Sequence, residues 1–228
     1  MTETLLHALA LIPALIVAIV FHEVAHGWTA LALGDPTAQE QRRLSFNPIR
    51  HVDPFGTLIL PGLLALTGAP VFGWAKPVPV NKWRLTNPRF GMMAVAAAGP
   101  GTNLVLAAIG AVVLGLFVGN YTGPADGLGG FALAALQYFI TINIFLALFN
   151  MLPIPPFDGS HIVEGLLPPP AARAYEKLRP WGFPLLFLLL LVIPWLFPGL
   201  GIVERVVMPP VEWAWAHYLA LAAWIAGG

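Results

Sequence analysis

Apolar residues dominate this chain in four long runs, which polar, proline-rich or glycine-rich connections separate. Each run reaches the roughly 20 residues that a helix needs to cross a hydrocarbon core about 30 Å thick. The pattern therefore predicts an all-α polytopic membrane protein with about four to five transmembrane helices. The four predicted helices run from Leu5 to Leu33, from about Phe90 to Val118, from about Phe131 to Leu152 and roughly from Trp181 to Val203.

Two shorter apolar stretches after the first helix do not fit a regular span. Leu58 to Leu66 is too short and contains Pro61-Gly62, so we expect a re-entrant or interfacial loop. Val71 to Val80 carries Pro77 and Pro79 at alternate positions, which predicts an extended edge segment that a substrate strand could pair with. A solvated extended loop is an equal alternative. Together the two stretches predict a small re-entrant, β-like insertion.

The last apolar stretch, Val211 to Ile225, is short and rich in tryptophan and tyrosine. Such an aromatic belt suits a membrane interface, and a short fifth span is the alternative. We expect one membrane-embedded domain over residues 1–228, with its core in residues 5–165 and C-terminal helices in residues 181–226.

Composition agrees with a membrane protein and excludes several kinds of site. The chain is 58% hydrophobic and 10% charged, with a mean hydropathy of +0.78, whereas a soluble domain has about 25% charged residues. The formal net charge is zero, so charge gives no indication of nucleic-acid binding. The chain has no cysteine, which leaves only His, Asp and Glu to hold a metal. The N-terminus lacks the basic region of a signal peptide, so we expect the first helix to be retained.

The first apolar run contains His22-Glu23-Val24-Ala25-His26, an H-E-x-x-H pattern. On a helix, His22 and His26 lie one turn apart on the same face and can bind one zinc ion. Glu23 lies on an adjacent face, where it can reach a water at the metal without being a ligand. Charged groups in a lipid-embedded helix cost roughly 2.5–3.5 kcal/mol each, so they usually mark a functional site.

Basic residues indicate the orientation of the chain. Ten of the eleven Lys and Arg lie in segments 34–55, 71–90 and 154–180, which a four-helix path places on one side. By the positive-inside rule that side is cytoplasmic. We therefore expect an integral protein of the plasma (inner) membrane, with its N-terminus outside and the motif in the cytoplasmic half.

A catalytic zinc ion needs three protein ligands and one open position, so a third ligand must be found. Asp158 is well placed, because the proline-broken backbone before it and Gly159 after it allow the carboxylate to turn back into the bundle. Spacing alone leaves the choice open among five residues on the same side, namely Asp158, His51, Asp53, His161 and Glu164.

Other polar residues have simpler interpretations. His51 and Asp53 are candidates for orienting a zinc ligand, although a turn in which Asp53 caps a backbone N–H is an equal alternative. For His161 a polar packing role is preferred over that of a fourth ligand. Asn143 and Thr141 are expected to form hydrogen bonds between helices. His7 and His217 are expected at the membrane interfaces.

Three motifs occur in a specific order over roughly residues 20–165. They are the H-E-x-x-H pattern, Gly99-Pro100-x-x-Asn103, and Asn150-x-x-Pro153-x-x-x-x-Asp158-Gly159. Together they resemble the site-2 protease family of intramembrane zinc metalloproteases. The resemblance implies an endopeptidase that cuts transmembrane protein substrates in or near the bilayer. It also implies one zinc ion per chain, bound by His22, His26 and Asp158.

The resemblance implies further roles. Glu23 would activate the water, and Asn150 would lie near the site and help to hold the substrate or the oxyanion. Gly99, Pro100 and Asn103 would support helix packing beside the site. The region from Gly56 to Val80 would correspond to the family's membrane-associated insertion, which aligns an unwound substrate. The chain has no room for a PDZ or CBS domain, so we expect a minimal form.

Two functions of other classes compete with this interpretation. A metal- or ion-handling carrier would use the same His and Asp residues without needing Glu23, and it would continue polar residues towards the outer face. The outer halves of the predicted helices are nearly all apolar. A non-cleaving scaffold with a protease-like fold is the second alternative, and the complete set of His22, Glu23, His26 and Asp158 favours an enzyme over it.

Overall fold

The structure is a computed structural model that describes residues 2–67, 73–123, 127–197 and 200–228. Within these ranges the regular structure is helical and contains no strand. Four helical stretches in them are long and apolar enough to cross a membrane, namely Leu6–Ala32, Pro88–Asn120, Gly127–Asn150 and Pro169–Leu196. The prediction of an all-α polytopic membrane protein is therefore confirmed.

The α-helices of the described ranges agree closely with the first three predicted spans, which correspond to α1, α4 and α5. The helices are α1 (Thr2–Ala32), α2 (Thr37–Glu40), α3 (Leu60–Thr67), α4 (Pro88–Asn120), α5 (Gly127–Asn150), α6 (Asp158–Leu166), α7 (Pro169–Glu176), α8 (Gly182–Phe187), α9 (Ile193–Leu196) and α10 (Met208–Ile225). Short turns of tighter or wider helix occur at Pro48–His51, Pro54–Ile59, Lys82–Arg84, Arg179–Trp181, Leu188–Val192 and Val203–Val207.

Helix α4 lies at the centre of the fold, where it packs against α1, α5, α6 and α10. Its buried face carries Ala107 and Ala111, which face the buried Ile140 and Ile144 of α5. Lipid tails are as apolar as these side chains, so close van der Waals packing through small residues holds such helices together.

The fourth predicted helix ends earlier in the structure than the sequence predicts. Helical structure extends from Gly182 through the wide turn at Leu188–Val192 and ends at Leu196, not at Val203. Phe197 leaves the helical region, with φ −132° and ψ 80°, because the proline that follows disfavours a helical conformation in the preceding residue. Val203 belongs to the next helical segment.

Helix α10 runs alongside α4 in the same direction. The Tyr218 hydroxyl donates to the Leu104 carbonyl at 3.1 Å, and further along Gly115 lies against the Ala222 carbonyl and the Ile225 side chain. The last apolar stretch is therefore packed lengthwise against the bundle. It is not among the four stretches that meet the length and hydropathy of a span.

The insertion after α1 combines a short helix with an extended segment. Helix α3 has eight residues, too few to span a bilayer. Residues 73–81 contain no helix, and alternate amides, those of Trp74 and Lys76, donate to the carbonyls of Gly56 and His51 at 3.1 and 2.8 Å, as along an extended segment. Residues 71 and 72 of the predicted edge segment lie outside the described residues. In place of a β-strand, the described part of the insertion thus contains one extended segment that is hydrogen-bonded to the preceding turns.

Candidate metal centre

Helix α1 places the two histidines of the motif one turn apart, and both face the same carboxylate. Asp158 Oδ2 lies 3.1 Å from His22 Nε2 and 3.4 Å from His26 Nε2. Among the described residues, these three are the His, Asp and Glu side chains that cluster closely enough to share one metal ion. The structure thus brings together both histidines and the aspartate that chain order and resemblance had indicated.

The aspartate reaches the histidines because α6 begins directly against the end of α5. A Cβ at Gly159 would lie 2.2 Å from the Met151 carbonyl oxygen, a distance that only glycine permits. Asp158 is the first residue of α6, and its side chain is 19% exposed. The glycine after the aspartate therefore allows the approach that turns the carboxylate back into the bundle.

The other nitrogen of each imidazole is held by a fixed acceptor. His22 Nδ1 donates to Asn103 Oδ1 at 2.6 Å, and His26 Nδ1 donates to the Val95 carbonyl at 2.7 Å. A carbonyl oxygen can only accept, so these bonds place the proton on Nδ1 and leave a lone pair on Nε2 in the neutral ring. Both rings therefore direct lone pairs towards Asp158.

This arrangement fits a zinc ion. With both rings neutral, the two Nε2 lone pairs and the carboxylate would repel one another at these separations, and a cation bound between them would remove that repulsion. Zinc binds nitrogen and oxygen ligands at about 2.0–2.2 Å in a tetrahedron, whose edges are then roughly 3.3–3.5 Å. The measured edges of 3.1 and 3.4 Å agree with that geometry. Two histidines and one carboxylate also form a ligand set found in catalytic zinc sites.

A buried chain of amides continues from His22 into the bundle. Asn103 Nδ2 donates to the Ala18 carbonyl at 3.1 Å and to Asn143 Oδ1 at 2.8 Å. Asn143 Nδ2 in turn donates to the Phe139 carbonyl at 2.8 Å. Both asparagines are completely buried. These hydrogen bonds link α1, α4 and α5, and they fix the orientation in which Asn103 accepts from His22.

Glu23 lies beside this cluster but outside it. Its Oε2 accepts a hydrogen bond of 2.7 Å from the backbone amide of Val78, in the extended segment. The side chain is half-buried. A carboxylate that adjoins the metal ligands without joining them is what the H-E-x-x-H pattern predicts of a general base.

Comparisons with known proteins agree with this site. The model of the family described as peptidase family M50 matches residues 127–192. The chain is 39% identical over 201 residues to "Putative zinc metalloprotease YwhC" of Bacillus subtilis, an alignment that covers 85% of this chain and 87% of the relative. It is 31% identical over 173 residues to "Putative zinc metalloprotease Rip2" of Mycolicibacterium smegmatis, covering 76% of this chain and 62% of that relative. The chain belongs to peptidase family M50, the site-2 proteases. No solved structure matches the chain.

Family membership confirms the class of the protein. This M50 peptidase is a zinc metalloprotease and an integral membrane protein. The predictions of a hydrolase with a zinc cofactor are therefore confirmed.

Asn150 and Asp53, two remaining candidates, make local hydrogen bonds. Asn150 ends α5, and its amide donates to the Leu146 carbonyl of its own helix at 2.9 Å. Its catalytic role stays a prediction. Asp53 accepts from the amides of Phe55 and Gly56 at 3.0 and 2.7 Å, which is the turn-capping alternative.

Two further histidines of the M50 peptidase make structural contacts. His51 is buried, and its Nε2 donates to the Ser45 carbonyl at 2.7 Å. His161 Nδ1 accepts from Arg179, which also forms an ion pair with Glu164. Burial, and secondly the Arg179 charge, lower the pKa of His161 to about 4. These contacts agree with the polar packing role preferred for His161.

A cavity of about 260 Å³ lies at the same end of the bundle, between the start of α4 and helices α6 and α7. His161 and Glu164 line it beside Arg89. The Lys82–Glu176 ion pair, with a 2.7 Å Nζ–Oε1 distance, also lies in its wall. The cavity thus carries several ionisable side chains in a lining that also includes Trp83, Pro88 and Met92.

The direct contact of Asn103 with His22 is the main feature that sequence analysis missed. The resemblance implies only helix packing for Asn103, whereas the bond between helices expected of Asn143 is present, because Asn143 Oδ1 accepts from Asn103 at 2.8 Å. One signal was available, because Gly99 and Asn103 have the same i, i+4 spacing on α4 that the two histidines have on α1. Matching one-turn spacings on two neighbouring helices predict a shared contact face.

Proposed function

We propose that this zinc metalloprotease is an intramembrane endopeptidase that hydrolyses peptide bonds in or near transmembrane segments of its substrates. The observation that carries the proposal is the convergence of His22, His26 and Asp158 inside a bundle of membrane-spanning helices, with Glu23 directly beside them. In this proposal the three converging residues hold one zinc ion, and Glu23 is the general base.

Zinc, when bound, supplies a Lewis acid that makes water more acidic and polarises a peptide carbonyl. Glu23 takes a proton from the attacking water as the new C–O bond forms. As the C–N bond breaks, the same carboxyl group gives that proton to the leaving amine. Asn103 and the Val95 carbonyl keep both imidazoles in the tautomer that offers Nε2.

Asn150 is proposed to hold the substrate or the oxyanion. Its side-chain amide donates to the Leu146 carbonyl, within the last turn of α5. Because an amide has two N–H donors, Asn150 can keep this bond and offer the second hydrogen to a substrate oxygen.

The extended segment is proposed to receive the unwound substrate. The amides of Trp74, Lys76 and Val78 already have acceptors in the protein. Alternation places Pro77 and Pro79 on the opposite edge, where prolines offer carbonyls but no donors. A substrate strand paired there would mainly donate its own amides. Since a helix must open to do so, substrate helices weakened by Gly, Pro or Asn are favoured.

The protein is proposed to reside in the plasma membrane. The end of the bundle that carries the site is proposed to face the cytoplasm. Segments 34–55 and 71–90 meet where Arg43 donates to the Lys76 carbonyl, and segments 71–90 and 154–180 meet through the Lys82–Glu176 ion pair. Positive residues favour the cytoplasmic side, which places the N-terminus outside. The cavity lined by His161 and Glu164 is the proposed route for water.

The test is zinc content together with cleavage of a model transmembrane substrate in detergent, for the parent, Glu23→Gln and Glu212→Gln. Glu212 is exposed on α10, so it controls for loss of a glutamate charge. We expect about one zinc per chain in all three, with cleavage lost only in Glu23→Gln. Retained cleavage in Glu23→Gln would contradict the assignment of the base. If no variant cut any of several substrates, ion flux in liposomes would test the carrier alternative.

A further inference from the structure

Three polar side chains fasten the extended segment to the first helix and the turns that follow it. Arg43 Nη2 donates to the Lys76 carbonyl at 2.7 Å. The Val78 amide donates to Glu23 at 2.7 Å, and the Asn81 amide donates to Asp35 Oδ2 at 2.6 Å. Each bond involves the main chain of the segment, so residues 76–81 dock as one element.

The local sequence determines which donor is available for the bond from Val78 to Glu23. Val78 stands between Pro77 and Pro79, so its amide is the single N–H that these three residues possess. The structure uses that donor on Glu23 rather than on another backbone group. A bond from an amide to a carboxylate is charge-assisted and stronger than one between neutral groups.

The close approach of the segment depends on the residue after the motif. A Cβ at Gly27 would lie 2.9 Å from Val78 Cγ1 and 2.4 Å from Leu44 Cδ2. The Val78 side chain is accordingly buried, with 7% exposure. Gly27 therefore provides the space in which Val78 packs against α1 and brings its amide to Glu23.

We propose that the backbone amide of Val78 is the positioning group for Glu23. It holds Oε2 and leaves Oε1 as the oxygen available to the attacking water. Docking of residues 76–81 and correct placement of the base are then one event. The inference rests on the proposed function, in which Glu23 is the base, but it concerns a different group and a different contact.

The proposal predicts a specific pattern for two substitutions at one position. Val78→Pro removes the amide hydrogen, and it suits the backbone because the residue before Pro79 is already restricted to extended conformations. Val78→Ala trims the same side chain and keeps the amide. The experiment measures kcat, KM and zinc content of the full chain in detergent, with a model transmembrane substrate.

We expect Val78→Pro to lower kcat on the order of 100-fold, as misplacement of a catalytic group by about 1 Å does. Zinc content should stay at the parent's level, because the Val78 amide does not touch His22, His26 or Asp158. KM should also stay near the parent's value, since the substrate is proposed to pair with the other edge. Val78→Ala loses side-chain packing but keeps the amide, so its kcat should lie well above that of Val78→Pro.

A second variant covers the possibility that Val78→Pro fails to fold. Gly27→Ala keeps every donor but pushes Val78 away, so it should lower kcat in the same way while zinc is retained. If zinc-loaded Val78→Pro and Val78→Ala had equal kcat, the proposal would be overturned. Loss of zinc from both Val78→Pro and Gly27→Ala would overturn it too, because the segment would then be structural. Cleavage by Glu23→Gln at the parent's rate would instead refute the proposed function.

Discussion

Substitution of Gly99 by alanine should disable zinc binding while leaving the helix intact. A Cβ at this position would lie 2.5 Å from His26 Nε2 and 2.6 Å from His22 Nε2. Ordinary contacts of this kind begin at about 3.4 Å. The rings would have to retreat by roughly 0.9 Å, whereas metal–ligand distances tolerate changes of about 0.2 Å.

The rings cannot retreat easily, because each is bonded at its other nitrogen. His22 is held by Asn103 at 2.6 Å and His26 by the Val95 carbonyl at 2.7 Å. Loss of such outer contacts alone typically costs 10–100-fold in metal affinity. Displacing both rings as well should cost Gly99→Ala at least about 100-fold.

The assay is competition between the purified protein and a chelating zinc indicator at neutral pH, followed by cleavage of a transmembrane substrate. Gly101→Ala is the matched control, since it lies on the same helix, is exposed, and would meet no atom within 4 Å. It should bind zinc like the parent. Parent-like zinc affinity in Gly99→Ala would refute the placement of the two imidazoles against α4.

Three further outcomes follow from the same contacts. Asn103→Leu removes the acceptor of His22 Nδ1 and should weaken zinc binding about 10–100-fold in the same competition assay. Asp158→Asn should lose zinc on purification, whereas Asp53→Asn, which alters only a turn cap, should retain it in metal analysis. Because burial and Arg179 lower the pKa of His161 from 6.5 to about 4, the unfolded chain binds a proton between these pH values that the folded protein does not. Thermal stability of the zinc-free protein should therefore fall as pH drops from about 6.5 to 4, and His161→Gln should reduce that fall.

The spanning helices could be predicted from the sequence because long apolar runs have few alternatives in a membrane. The predicted helix from Phe90 to Val118 matches α4, which begins two residues earlier and ends two residues later. The fourth predicted helix is too long because the run of hydrophobic residues continues past Leu196, where the helix ends before a proline. Hydropathy reports burial in lipid, whereas a proline decides where the backbone can remain helical.

The candidate site could be predicted where its geometry is local. His22 and His26 are four residues apart, so helix geometry alone brings them together. The contact of His22 with Asn103 spans 81 residues, and that of Glu23 with Val78 spans 55. Such contacts depend on how each helix is rotated about its axis and on which turn faces its neighbour. Spacing within one segment does not contain that information.

The buried amide chain has a further consequence for the stability of the bundle. Asn103 and Asn143 lie in an apolar interior, where an unpaired amide would cost about 1–3 kcal/mol. Asn103 donates to Asn143 and accepts from His22, a proposed zinc ligand. A ligand that binds only the folded form stabilises it by mass action, so zinc should stabilise the packing of α1, α4 and α5. The same linkage requires that any loosening of those helices weakens zinc binding, so the polar interior of this bundle and its metal centre form a single unit.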